Sequence, residues 1–346
     1  MNKLKLIFSL IPILLATNLP SISDESRIDN YLQSYKNFSG AVLITQNGNI
    51  ILNKGYGYAN YEFLIPNTPK TKFQIASNTK SFTAFAIMHL QQKNLLNTQD
   101  KLNKYINDYQ NGDKVTIHHL LTHTSGIPNY YKYWNDVVHS KNLEQMVSSF
   151  KSWPLDFEPG TNYSYSNSGY TLLAYIIEKV SGLTYEEFLK ENIFKHLSMH
   201  DTGSYNLKLV NNRASGYIYE DNIIYNAETP NNPVTLLGNG DLYSSLEDLY
   251  KWDRELQKNK DLIFTPHIPM EDSPSRAHGY GWFIDKKFDK RIVEYSGSLR
   301  GFLSRIIKFI DDDITVIILS NLEDREEFNI IYEGLLTTIF PKTDNS

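Results

Sequence analysis

Strand-like runs stand at both ends of this chain, and helical periodicity fills the middle. Ala41-Val42-Leu43-Ile44 and Ile50-Ile51-Leu52 flank Gln46-Asn47-Gly48-Asn49. Asn-Gly between two β-rich runs predicts a hairpin, because both central turn residues need positive φ. A short helix is expected before it, from Arg27 to Tyr35. Apolar positions then recur at three- and four-residue intervals. They predict helices over Ser81–Lys93, Ile117–Leu121, Leu143–Phe150, Ser168–Ser181, Tyr185–Phe194 and Leu246–Leu256. Ser245 and Asp248 suit a capping box for the last of these, and Gly182 suits a helix stop. Strand character returns at Gly281–Ile284, Arg291–Tyr295, Phe302–Phe309 and Ile314–Leu319, with Asp311-Asp312-Asp313 as a turn. A final helix is expected from Arg325 to Ile339, and the proline-rich stretch Thr265–Pro274 reads as a loop. Strands at both ends with helices between them predict an α/β fold of the α+β type. One antiparallel sheet is formed from both chain ends and flanked by helices, with an inserted, mainly helical subdomain.

Composition narrows the class. The 346 residues fit one large domain or two intimately packed subdomains, and the formal net charge of −5 gives no support for nucleic-acid binding. Lys3 and Lys5 precede an apolar run from Leu6 to Ala16, and Ser21-Ile22-Ser23 offers small residues before Asp24. That pattern predicts a signal peptide over 1–23, a domain over 24–341 and a short tail over 342–346. The protein is therefore expected to be exported, periplasmic or secreted, with an uncleaved N-terminal anchor as the alternative. The apolar run is short for a membrane span. Cysteine is absent, which excludes disulfides, thiolate metal sites and a cysteine nucleophile.

The chemistry centres on Ser77-Asn78-Thr79-Lys80, where the extended stretch Phe73–Ala76 meets the pattern Phe82, Ala86, Ile87, Leu90. A hydroxyl is a weak nucleophile until a base takes its proton, and a lysine three residues on shares its helix face. Alone, the tetrapeptide reads first as an N-cap serine followed by a solvated lysine. His119 and His123 stand four apart, but no glutamate follows in the His-Glu-x-x-His manner, so His123 is expected to be structural. No metal or organic cofactor is expected.

Three further segments change the picture: Leu120-Leu121-Thr122-His123-Thr124-Ser125-Gly126, Pro159-Gly160 with Tyr165-Ser166-Asn167, and Tyr295-Ser296-Gly297-Ser298-Leu299-Arg300. With Ser77-x-x-Lys80, their order resembles the serine hydrolase family of class C β-lactamases, penicillin-binding proteins, D,D-peptidases and related esterases. The resemblance covers about Asp24 to Pro341. It implies Ser77 as the acylated nucleophile, in a proton-transfer network with Lys80 and with Tyr165, the family's general base. It implies that Asn167 bonds Lys80 or a substrate amide. Tyr295, Ser296, Gly297 and Ser298 would bind substrate, and the backbone N–H groups of Ser77 and Ser298 would form an oxyanion hole. The implied partner is a small-molecule or peptide substrate. Loops 128–138 and 217–233 are expected to set specificity, with Tyr130, Tyr131, Tyr133 and Trp134 walling the cleft or packing in their loop.

Tyr295 departs from the pattern, for the family usually places lysine or histidine there. The site thereby lacks one cation for a substrate carboxylate. Ionising a free tyrosine at neutral pH costs ~4 kcal/mol, and a cation at ~4 Å returns about that much at an effective dielectric near 20. Lys80 supplies this alone, or Arg300 reaches in, or a neutral Lys80 is the base and Tyr165 relays the proton. The departure predicts a small ester, amide or D-amino-acid peptide as substrate. A β-lactamase, a D,D-carboxypeptidase or a penicillin-binding sensor without turnover is the alternative.

Overall fold

In a computed structural model of the chain, residues 25–227, 232–270, 273 and 275–341 are described. The expected signal segment and the tail from 342 lie outside them. Eight strands form the main sheet: β1 (Gly40–Gln46), β2 (Asn49–Tyr56), β3 (Ile268–Pro269), β4 (Ala277–His278), β5 (Phe283–Lys287), β6 (Lys290–Leu299), β7 (Phe302–Phe309) and β8 (Ile314–Ser320). Their order is β3-β4-β5-β6-β7-β8-β1-β2, and every pair is antiparallel. The chain ends therefore meet inside one sheet, where β1 lies between β2 and β8. The β1–β2 turn carries the conformation its sequence demands, with φ 51° at Asn47 and 75° at Gly48.

Both faces of this sheet are covered, which is why β1 and β8 read as unbroken apolar runs rather than alternating ones. Val42 and Ile44 turn to one face, with Val316 and Ile318 of β8. There they meet helices α1 (Glu25–Gln33) and α8 (Arg325–Ile339) through Ile28, Leu32, Ile331 and Leu335. Ala41, Leu43, Ile317 and Leu319 turn to the other face and join the core of the helical subdomain. That subdomain is built from α2 (Thr79–Gln92), α3 (Ile117–Leu121), α4 (Leu143–Phe150), α5 (Asn167–Ser181), α6 (Tyr185–Leu189) and α7 (Leu246–Lys258). Gly182 ends α5 at φ 72°, as its position predicts.

Local departures have physical causes. The proline-rich stretch supplies edge strand β3, because Ile268 and Pro269 pair with His278 and Ala277; an edge tolerates proline. The strand expected from Gly281 begins at Phe283. Gly281 has φ +75°, and a Cβ there would lie 2.9 Å from the Lys80 carbonyl oxygen. Ser245 caps α7 by accepting from the Asp248 N–H at 3.3 Å. The Asp248 carboxylate accepts instead from Asp201 N–H and the Thr202 hydroxyl, so only half the box forms. The stretch from Tyr217 carries a hairpin, Tyr217–Glu220 with Ile223–Asn226.

A buried ionic cluster ties α7 to the sheet. Lys308 Nζ, 2% exposed, donates to Asp253 at 3.0 Å, Asp313 at 2.6 Å and Thr315 at 3.1 Å. Removing one partner leaves an uncompensated buried charge, which costs about 3–5 kcal/mol. Asp253→Ala is therefore expected to lower the urea midpoint strongly, and Asp311→Ala, on an exposed pair with Arg291, hardly at all.

Candidate active site

The serine is presented by a turn wedged between the sheet and α2. Phe73–Gln74 pairs with Leu242–Ser244, and Ala76–Asn78 then forms a single 3₁₀ turn before α2. Ala76 sits at φ 48°, a left-handed conformation that costs a non-glycine residue on the order of 1 kcal/mol. The side chain of Asn78 donates to Ser304 Oγ of β7 at 2.8 Å, and Ser304 Oγ donates to the Ile75 carbonyl at 2.8 Å. These bonds hold the turn against the sheet. Gly297 of β6 makes that approach possible, since a Cβ there would lie 2.3 Å from Ile75 O and 2.5 Å from Ser304 Oγ. Ser77 is thus not a helix cap; Asn78 occupies the N-cap position of α2 and makes no side-chain cap bond.

The Ser77 hydroxyl faces two proton carriers. Its Oγ lies 3.0 Å from the Tyr165 hydroxyl and accepts from Lys80 Nζ at 3.1 Å. Lys80, on the first turn of α2, is fully buried and donates also to the Asn239 carbonyl at 2.6 Å. Its ammonium lies 5.0 Å from the Tyr165 ring centre and 5.6 Å from that of Tyr170. Burial pulls the Lys80 pKa below its ordinary value, against the charges of Tyr165 and Asp241. Burial pushes Tyr165 upward, but the Lys80 cation and the hydrogen bond from Ser77 outweigh it, so its phenol is more acidic than a free tyrosine. Each group therefore shifts toward the range in which proton exchange with the other is possible.

His123 is structural, as expected. Its ring packs against that of Tyr165, centres 4.5 Å apart and planes tilted by 38°, and its Nδ1 accepts the Ser166 N–H at 3.1 Å. Burial first, then the neighbouring His278 and Lys80, lowers its pKa well below the ordinary value, and burial pushes His278 down to about 3. Lys80 is accordingly the charge that acts on Tyr165 at this depth.

The structure brings most of the expected residues to one cleft of about 410 Å³, lined by Ser77, Tyr165, Asn167 and the Tyr295–Ser298 segment of β6. Tyr131 lines it too, while Tyr130 is buried and donates to the Thr235 carbonyl at 2.7 Å. Tyr295 is buried beside Tyr165, its hydroxyl without a hydrogen-bond partner, and burial together with the Tyr165 charge keeps it protonated.

One expectation narrows and another needs correction. Asn167 does not bond Lys80. It opens α5 behind the N-cap Ser166, and its Oδ1 has no partner. The lysine is held by the Asn239 carbonyl, and the Asn239 side chain is fixed by bonds to Thr171 and to the Thr235 carbonyl. The Gly238-Asn239-Gly240 turn was the available signal, with Gly238 at φ +78° packed within 2.6 Å of the Ala174 methyl were it to carry a Cβ. Arg300 does not reach the cleft either. Leu299 pairs with Phe302, so Arg300 and Gly301 form the hairpin tip, and Arg300 lines a separate recess with Glu220 and Tyr225. The cations that line the cleft are Arg305 and Arg325, which sequence reasoning missed.

The family model described as Beta-lactamase matches residues 25–335. The chain belongs to that family. It is 33% identical to penicillin-binding protein 4* of Bacillus subtilis over 84% of this chain and 70% of that protein. A solved penicillin-binding protein from Bacillus halodurans superimposes with a TM-score of 0.76 at 29% identity, covering 89% of this chain and 98% of that one. A D-amino acid amidase from Ochrobactrum anthropi shares the fold, with a TM-score of 0.77 at 21% identity over 92% of this chain and 97% of its own. The Ser77–Lys80–Tyr165 arrangement is that of a serine hydrolase, and the expected sheet with its helical insertion is the fold of these neighbours.

Proposed function

We propose that this protein is an exported serine hydrolase that cleaves a small ester, amide or D-amino-acid peptide through an acyl-Ser77 intermediate. The observation that carries the reading is the Ser77 hydroxyl placed within hydrogen-bond reach of both Tyr165 and buried Lys80. Tyr165, held toward its phenolate form by Lys80, takes the Ser77 proton as Oγ attacks the acyl carbon. It then gives that proton to the leaving group and activates the water that releases the acid. The N–H groups of Ser77 and Ser298, both at the cleft, receive the developing oxyanion; losing one such donor typically costs ~3 kcal/mol. Asn167, which lines the cleft beside Tyr165, hydrogen-bonds an amide of the substrate in this reading. Export rests on the charged and apolar pattern of residues 3–16.

Neutral Tyr295 weighs against efficient turnover of β-lactams, which present a carboxylate. A screen of p-nitrophenyl esters, D- and L-amino-acid amides and cephalosporins tests this. Ser77-dependent turnover of the first two classes supports the reading, and cephalosporin hydrolysis near the diffusional range overturns it. Tyr295→Lys should place a second cation beside Tyr165. A cation favours the phenolate, so the ascending limb of kcat/KM against pH should move to lower pH than in the parent protein. An unmoved limb would show that Tyr165 is not the group titrating.

A further inference from the structure

The turn that receives Lys80 is built on a buried acid outside the Ser77–Lys80–Tyr165 network. Gly238-Asn239-Gly240 presents the Asn239 carbonyl to Lys80 Nζ at 2.6 Å. Asp241 closes this turn, for its Oδ1 accepts the Gly238 N–H at 2.9 Å. Helix α2, which carries Lys80, grips the turn at both ends. Thr83 Oγ1 donates to the Gly238 carbonyl at 2.7 Å, and Thr79 Oγ1 accepts the Leu242 N–H at 3.1 Å. The Asp241 carbonyl accepts the Tyr205 N–H at 2.7 Å. Lysine, receiving carbonyl and carboxyl group therefore belong to one hydrogen-bonded unit.

An acid in this place is costly. Asp241 is 1% exposed, and its Oδ2 finds no hydrogen-bond partner. Burial pushes its pKa up to about 6, against the nearby Ser204 hydroxyl and the Gly238 N–H, so at neutral pH it is mostly a carboxylate. Three titratable groups face it. Tyr185 and Glu186 of α6 offer it no positive charge, since burial keeps the Tyr185 phenol protonated and Glu186 repels the carboxylate. The third is Lys80 of α2, whose ammonium form the Asp241 charge favours against burial.

We propose that Asp241 is a positioning residue for the reaction at Ser77, acting through Lys80. Its negative charge keeps the buried lysine an ammonium, and its carboxylate fixes the carbonyl that receives that ammonium. This rests on the acyl-serine reading above and adds a third charge to it. Tyr165 stabilises the lysine cation only while it is a phenolate, whereas Asp241 does so through the whole cycle. A fixed negative charge also opposes formation of the phenolate, so it raises both steps at which the Lys80–Tyr165 pair loses protons. Removing it moves both steps to lower pH. The alkaline limb reports this without interference from the titration of Asp241 itself.

The test is Asp241→Asn, which keeps a side-chain oxygen for the Gly238 N–H and removes the charge. The alkaline limb of kcat/KM on p-nitrophenyl acetate should move to lower pH by about half a unit or more. A merely structural role lowers the rate at every pH alike. An unmoved limb, or one moved to higher pH, would overturn the proposal. If the asparagine variant does not fold, Asp241→Ser, smaller and also neutral, is read in the same way. If the ester is not turned over, the acyl-serine reading for esters fails separately. Asp241 is then judged by the phenolate absorbance of Tyr165, taken as the difference between each protein and its Tyr165→Phe counterpart. That titration should move to lower pH in Asp241→Asn, and an unmoved titration overturns the assignment.

Discussion

Ser77→Ala is expected to lower kcat/KM on any accepted ester by about 10⁴- to 10⁶-fold while leaving the fold intact. The magnitude follows from removing the nucleophile of a covalent mechanism, whose partners act as a unit and lose most of their value together. The structure adds a reason to expect a clean variant. The turn is held by Asn78, Ser304 and the Ile75 carbonyl rather than by the Ser77 hydroxyl, so its loss leaves those bonds in place. Thermal unfolding should accordingly be near that of the parent protein, and binding of an uncleaved substrate should survive. A variant with activity within tenfold of the parent would place the chemistry elsewhere.

Tyr165→Phe is the second large effect, expected at about 10²- to 10⁴-fold in the acylation rate, the usual range for a positioned acid–base group. The ring is retained, and with it the packing against His123 and the contact with the Lys80 ammonium. Only the hydroxyl that meets Ser77 is lost. The loss should fall on kcat more than on KM, and the pH profile should lose the limb that belongs to the Tyr165–Lys80 pair, whose titration is shared rather than owned by either residue. Phenylalanine that preserved the limb and cost less than threefold would instead favour a neutral Lys80 as the base, with water relaying the proton.

Much of this was legible in the sequence because it is local. The Asn47-Gly48 hairpin, the Gly182 helix stop and the Arg325–Ile339 helix each follow from a few neighbouring residues, and so does the Ser77-x-x-Lys80 face. The residues that escaped depend on contacts made far along the chain. Asn239 contributes a backbone carbonyl, which no side-chain pattern announces. Asn167 opens a helix beside Lys80, and only the packing of α2 against α5 decides that Lys80 turns to Asn239. Arg300 is three residues past Gly297 in sequence, yet the Leu299–Phe302 pairing puts it at a hairpin tip. Arg305 lies eight residues past that glycine and faces the cleft, because cross-strand register brings it opposite Ser296.

The central claim is that Ser77 is the acylated residue. Complete reaction with a fluorophosphonate, followed by peptide mass mapping, tests it most directly. One phosphonyl group per chain on the peptide that carries Ser77, with ester turnover lost in proportion, is the predicted result. Full turnover after complete labelling, or a label on another residue that abolishes turnover, would contradict the account.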